Sequence, residues 1–477
     1  MVKDKVVKGG LYLSIVNVFS QILSITLNLI LARLLLPKDF GMMALADTYL
    51  GFIGVITAIG FGSAIIQKKD PTHDQISSIY WMNMGLSLLT FVLIVGSADW
   101  ASRFYEAPEL RSVIWIAALS ILMTPFFIIH YKLKEKALEF KELSQITILA
   151  STSGAVSAIA SAFLGLGVYS LVMQVVVSTT MKLILTLRAS DFKKSFHFNY
   201  KEIHSMVMYS LKFKLSRILL YTDRNIDYLI LGKVFTSVLL GYYSFAYNVM
   251  YTPVKRISYI FNDVLFPTLS SLQGDRNKVI RGYFRSVELI SMISFPLMAI
   301  ASLHTEVLLQ FLFGNKWDGA IPIVKILCYA GAIQSISQLG SVVFNSIGKP
   351  EVDVYFGVIR TAFTVVAIIG GAGYGVEVVA WALLGSKFIS FIIILLVMKY
   401  QIPYKFSLFF KSVGKALLVL ASLNLIAYFM APLSVNAWLA LAISVLVAIL
   451  MSISLNFALI KEIALILLPK SWLNKLS

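Results

Sequence analysis

Six ionisable side chains crowd the apolar stretch between Tyr209 and Gly232: Lys212, Lys214, Arg217, Asp223, Arg224 and Asp227. A charge near a bilayer centre costs from ~2.5 to more than ~10 kcal/mol, so such groups in a spanning helix face water or a partner. At 100° per residue, Lys214, Arg217, Tyr221 and Arg224 fall within an arc of about 80° and rise about 15 Å from first to last. Arginine presents a planar fork suited to two phosphate oxygens at once, and lysine a point charge. The stripe is therefore a cationic, aromatic-lined track for an anion. Asp227, three residues after Arg224, is placed to pair with it on the same helix, while Asp223 points away toward another span. The rival reading is an ion-pair network that locks helices together. Snorkelling to the headgroups also accounts for Lys212 and Lys214.

A second polar stripe lies near the start of the chain. Ser14, Asn17, Gln21, Ser24 and Asn28 follow 3, 4, 3, 4 spacing on an otherwise apolar helix. Adding 200 to each number lands on Lys214, Arg217, Tyr221, Arg224 and Tyr228. Two equivalent helices thus present equivalent faces, neutral in the first copy and cationic in the second, as expected if both line one cavity. Amide groups that merely glue helices, at ~0.6–2 kcal/mol each, are the alternative for the first stripe. Tyr243, Tyr247 and Tyr251, with Asn248, run down the next helix before Pro253. Such tyrosines usually pack, but beside a cationic helix they are also candidates to stack on sugars. Asp47, with Gly51 and Gly54 on its face, is a candidate proton or cation site, joined in that role by Asp223 and Asp227; a helix-end carboxylate facing water is the plainer reading.

Catalytic patterns are missing from the sequence. Its five histidines are scattered without metal-ligand spacing, and Cys328 is its single cysteine. Gly370 to Gly375 reads as a tight turn rather than a phosphate loop. No enzyme, metal or cofactor is expected.

The elements that carry these residues follow from composition. A chain of 477 residues with 58% hydrophobic and 14% charged content and a mean hydropathy of +0.82 is a polytopic membrane protein. Its net charge of +17 is spread through loops rather than gathered in a basic domain, which argues against nucleic acid. Cutting at charged and Pro/Gly-rich breaks leaves about fourteen apolar runs, each long enough to cross ~30 Å of hydrocarbon as a helix. Lysine and arginine concentrate in every second break, which places both termini in the cytoplasm. Phe40-Gly41 recurs as Leu240-Gly241, and Gly165 to Val168 as Gly373 to Val376. An even number of crossings separates the copies, so six spans repeat as six in parallel orientation. The expected architecture is all-α: residues 1–190 form a first six-helix lobe, 191–205 a cytoplasmic linker, 206–400 a second lobe, and 401–477 two further helices. Lys461 to Ser477 completes that last segment as an amphipathic interfacial tail.

Short motifs add a resemblance. They are Leu31-Ala32-Arg33 before Phe40-Gly41, Ile66-Gln67, Tyr80-Trp81-Met82-Asn83, Leu240-Gly241 through Tyr247-Asn248, Leu265-Phe266-Pro267, Phe295-Pro296, and Phe313-Gly314-Asn315-Lys316-Trp317 with Ile321-Pro322. In this ordered set the chain resembles the Wzx-type polysaccharide flippases, related to the colanic acid exporter, of the multidrug/oligosaccharidyl-lipid/polysaccharide exporter superfamily. The resemblance implies a V-shaped pair of lobes around a central cavity in a bacterial cytoplasmic membrane. It further implies translocation of an undecaprenyl-diphosphate-linked oligosaccharide by alternating access, for surface polysaccharide synthesis. On that reading Arg217, Arg224 and Lys214 hold the diphosphate, while Asn17, Gln21, Ser24, Asn28, Tyr221, Tyr228, Tyr247 and Asn248 line the cavity. Membrane lipids, a polysaccharide polymerase and a co-polymerase are the implied partners. A multidrug or cation exporter of the same superfamily is the alternative, disfavoured by a basic stripe. A membrane-bound polymerase or ligase is the other, disfavoured by short loops on the far side.

Overall fold

The computed structural model describes residues 2–57, 61–212, 214–433 and 435–455. Among them, regular structure is entirely helical. Twelve helices are long and apolar enough to cross a membrane, against the expected fourteen or so. The helix Lys214–Val234 falls outside that set because its own charges disqualify it. The tail predicted over Lys461 to Ser477 lies outside the described residues.

Helices assemble into two compact units, residues 1–244 and 245–477. The first holds α1 (Val2–Leu34), α2 (Pro37–Thr57), α3 (Phe61–Gln67), α4 (His73–Phe104), α5 (Leu110–Lys136), α6 (Phe140–Phe163), α7 (Tyr169–Ala189), α8 (Tyr200–Lys212) and α9 (Lys214–Val234). Here α6 packs between α1 and α7, α5 between α4 and α7, and α2 lies against α4, α5 and α9. Small residues set the spacing. A Cβ on Gly154 of α6 would stand 2.6 Å from the Gln174 carbonyl oxygen of α7, so only glycine admits that approach. Thr72 and Gln75 start α4 with reciprocal side-chain-to-backbone bonds. Gly165 and Gly167 turn α6 into α7 at φ of 75° and 55°, where a side chain would be strained.

Between α7 and α8 the chain is stitched to α4. Trp81 Nε1 donates to the Ser195 carbonyl at 2.8 Å, the backbone N–H groups of Ser195 and Asn199 donate to the hydroxyls of Ser77 and Ser78, and His73 Nε2 meets the Lys193 carbonyl at 2.7 Å. Beyond it, α8 buries Ile203, Met206 and Val207 against Phe61, Ile65 and Ile79, the apolar side of a strongly amphipathic helix.

Ser237–Ser271 forms α10, which carries the chain into the second unit. There follow α11 (Arg276–Leu303), α12 (Thr305–Phe313), α13 (Ile321–Ser346), α14 (Pro350–Ala372), α15 (Val376–Gln401), α16 (Phe406–Met430) and α17 (Ala437–Leu455). Helix α11 packs on α13 and α16, α13 on α15, α15 on α14, and α16 on α17. Asp275 caps α11 by accepting from the backbone of Asn277 and Lys278 at 3.1 Å. Those bonds, the one from Lys278 foremost, hold its carboxyl below the usual carboxylate range. Trp317 of the Phe313–Trp317 motif is fully buried, stacked 4.0 Å from the Phe245 ring, which meets Phe313 edge-on. The two last helices are docked by polar contacts as well as by Ala299, Val419, Leu423 and Ala448. Lys415 bonds Glu288 at 3.0 Å, Tyr329 Oη donates to Asn424 at 2.8 Å, and His304 meets Ser444 at 2.9 Å.

Candidate substrate site

Helix α9 docks on α2 and on the turn between α4 and α5. Tyr221 Oη shares its proton between the carbonyls of Thr48 at 3.0 Å and Asp47 at 3.3 Å. Gly51 leaves the notch for this hydroxyl, because a Cβ there would stand 2.0 Å from it. Eleven residues further along α9, Gly232 admits Leu45 and Tyr105 in the same way. Lys233 closes the contact by bonding Glu106 at 2.8 Å and lying 5.3 Å from the Phe104 ring centre. That hydrogen bond holds the Glu106 carboxyl below its ordinary range. Burial, followed by the field of Tyr49, pushes the Tyr105 phenol up to about 12, so it stays a neutral packing group at any physiological pH.

The cations stand beside this contact, with Arg217 and Arg224 within about 60° of Tyr221 around the helix axis. Arg217 and Arg224 are exposed and Lys214 is half-buried. Among the described residues neither guanidinium has an ion-pair or hydrogen-bond partner, so both forks keep their full donor capacity. The predicted pairing of Arg224 with Asp227 does not form. Asp227 is buried on the docked side, where its Oδ2 accepts from Tyr243 at 2.7 Å. A three-residue spacing made the ion pair sterically available, but the phenol of α10 offers that carboxylate a partner away from water.

The remaining candidates are spread over several helices. On α1, Asn17, Ser24 and Asn28 are exposed and Gln21 is half-buried, while Val16, Leu27 and Leu31 are buried. Tyr228 is buried, edge-on to Tyr243 with ring centres 5.8 Å apart. In α10, Tyr247 stacks on Tyr251 at 5.7 Å and Asn248 is exposed. Asp47 has an exposed side chain and Asp223 a half-buried one. The sequence reading passes over Lys182 of α7, whose signal, a lysine seven residues inside the end of an apolar helix, was legible.

This arrangement offers an anion two guanidinium groups on a helix that the neighbouring Tyr221 fixes by hydrogen bonds and close packing. A family model described as "Polysaccharide biosynthesis protein" matches residues 30–322. The chain belongs to that family. Among the relatives of this polysaccharide biosynthesis protein, the lipopolysaccharide biosynthesis protein WzxC of Escherichia coli (strain K12) is 23% identical over 372 residues, covering 77% of this chain and 75% of that one. Teichuronic acid biosynthesis protein TuaB of Bacillus subtilis (strain 168) is 24% identical over 430 residues, covering 90% and 89%. Among solved structures, the lipid II flippase MurJ in an inward closed conformation has a TM-score of 0.73 over 94% of this chain and 99% of that one, at 14% identity. The shared fold agrees with the all-α membrane class and with the resemblance carried by the sequence motifs. At 14% identity the likeness to MurJ is one of fold.

Proposed function

We propose that this polysaccharide biosynthesis protein is a flippase that moves an undecaprenyl-diphosphate-linked oligosaccharide across the bacterial cytoplasmic membrane by alternating access, with both termini in the cytoplasm. One observation carries the reading: among the described residues Arg217 and Arg224 stand exposed and unpaired on α9, a helix bolted to α2 through the adjacent Tyr221. A diphosphate presents oxygens that match two planar forks, and a fixed helix holds those forks in register. Lys214 adds charge toward the cytoplasmic end. Tyr247 and Asn248, with Asn17, Gln21, Ser24 and Asn28, contact sugars or bound water. Tyr228 supports this face from within, and Asp47, Asp223 and Asp227 are the carboxylates available for ion coupling. Lipopolysaccharide, teichuronic acid and lipid II, for which WzxC, TuaB and MurJ are named, support a lipid-linked glycan as cargo; a polymerase and co-polymerase are the partners such a product requires. The exposed cations disfavour a cationic drug as substrate.

Reconstitution tests this directly. Vesicles containing the protein and a fluorescent polyprenyl-diphosphate-linked oligosaccharide should show leaflet transfer faster than protein-free vesicles. Transfer no faster than the lipid background overturns the reading.

A further inference from the structure

Lys182 of α7 lies seven residues before the end of its helix, between Met181 and Leu183. Its side chain is half-buried, and its ammonium rests 4.8 Å from the ring centre of Tyr131 on α5. Among the described residues it has no carboxylate and no hydrogen-bond acceptor in reach. Acids at this end of α5 and α6 are already engaged: Glu135 by Lys132 at 2.5 Å, Glu139 and Glu142 by Lys134 at 2.8 and 2.7 Å. Lys136 is spent on the carbonyls of Ile65 and Lys68. Lys182 alone of these four keeps all three N–H donors unused. Thr147 of α6 donates its hydroxyl to the Leu143 carbonyl at 2.8 Å and stands 3.4 Å from the Tyr131 hydroxyl, so what is left to face an anion is the Lys182 ammonium against the Tyr131 ring. A snorkelling lysine would extend its ammonium into water; this one lies over a ring about 10 Å inside the helix end.

We propose that Lys182, seated against the Tyr131 ring, forms a binding site for a lipid-borne phosphate, separate from the α9 stripe. An anion carried on a lipid can reach an ammonium seven residues inside the end of a spanning helix. Two sources share the chemistry, a polyprenyl diphosphate and the phosphodiester of a membrane phospholipid. The inference does not depend on the α9 stripe being the substrate seat.

The full chain in neutral detergent is titrated with farnesyl diphosphate and, separately, with phosphatidylglycerol, and bound lipid is read by native mass spectrometry. Lys182→Gln should weaken one of the two by about tenfold, the scale of a lost charge-assisted hydrogen bond to phosphate. Lys182→Arg should retain it. Loss of farnesyl diphosphate assigns the site to a polyprenyl carrier, and loss of phosphatidylglycerol to a resident phospholipid; both support the proposal. Wild-type affinity of Lys182→Gln for both lipids overturns it. Should that variant not be recovered folded, Lys182→Met, uncharged and of similar length, is held to the same criterion.

Discussion

Gly41 and Gly241 meet reciprocally at the crossing of α2 and α10. A Cβ on Gly41 would stand 1.9 Å from the Ser237 carbonyl oxygen, and one on Gly241 would stand 1.9 Å from that of Pro37. Each glycine touches the counterpart of the residue that touches it, two hundred positions away. The repeat legible in the chain is thus present in space as a two-fold-like contact, at which neither backbone can withdraw a flexible side chain to make room.

Gly41→Ala and Gly241→Ala should therefore each destabilise by ~1–3 kcal/mol, the usual cost of overpacking. Gly85→Ala, in the interior of α4 with open space around it, should be neutral or stabilise by up to ~1 kcal/mol through reduced backbone entropy. Thermal unfolding of the three purified variants checks the contrast in sign.

Arg217→Gln and Arg224→Gln should abolish surface polysaccharide in a strain that depends on this chain, while protein in the membrane stays at the wild-type level. Among the described residues neither side chain has a partner to lose, so stability should move by less than ~0.5 kcal/mol. Immunoblotting of membranes beside glycan staining separates the two effects; normal export by both variants would remove the arginines from the mechanism.

Tyr221→Phe deletes the bond to the Thr48 and Asp47 carbonyls and should cost ~0.5–1.5 kcal/mol. Gly51→Val fills the notch and should cost more, because the ring must leave. If Tyr221 sets the height of the two guanidinium groups, both variants lower the export rate in that order, with Gly51→Val the slower. Equal rates for all three proteins would limit Tyr221 to packing.

Burial at the junction of α11 and α12 holds the His304 imidazole below its usual value. Its folded-state value lies under its unfolded one, so its contribution is complete above about pH 6.5 and is lost as pH falls below that, when the unfolded chain takes up the proton more readily. The melting temperature should fall from pH 7.5 to 5.5, and His304→Gln, keeping a donor toward Ser444, should reduce that fall.

The charges of α9 were legible because they interrupt an apolar run, and the helical repeat angle alone put Lys214, Arg217 and Arg224 on one face. Tyr221 was placed on that face too, yet its hydroxyl reaches backbone carbonyls of residues 174 and 173 positions earlier. Carbonyls carry no residue-specific signal, so nothing in a sequence advertises them as partners. Asp227 shows the opposite failure: local spacing named Arg224 for it, and tertiary packing supplied Tyr243 instead. By apolarity the span count among the described residues is twelve because two helices drop out: α9, whose charges lower its hydropathy, and α10, whose tyrosines, Asn248, Lys255 and Arg256 do the same.

Residues 193–199, sewn to the beginning of α4, limit how far α8 and α9 can travel. A tether held at His73, Ser77, Ser78 and Trp81 has no slack to give, and the packed side of α8 continues the restraint to Val207. Play for α9 starts only past that point. Lengthening the chain by insertion before residue 193 would leave its leash unchanged, whereas the same insertion after residue 212 would slacken it.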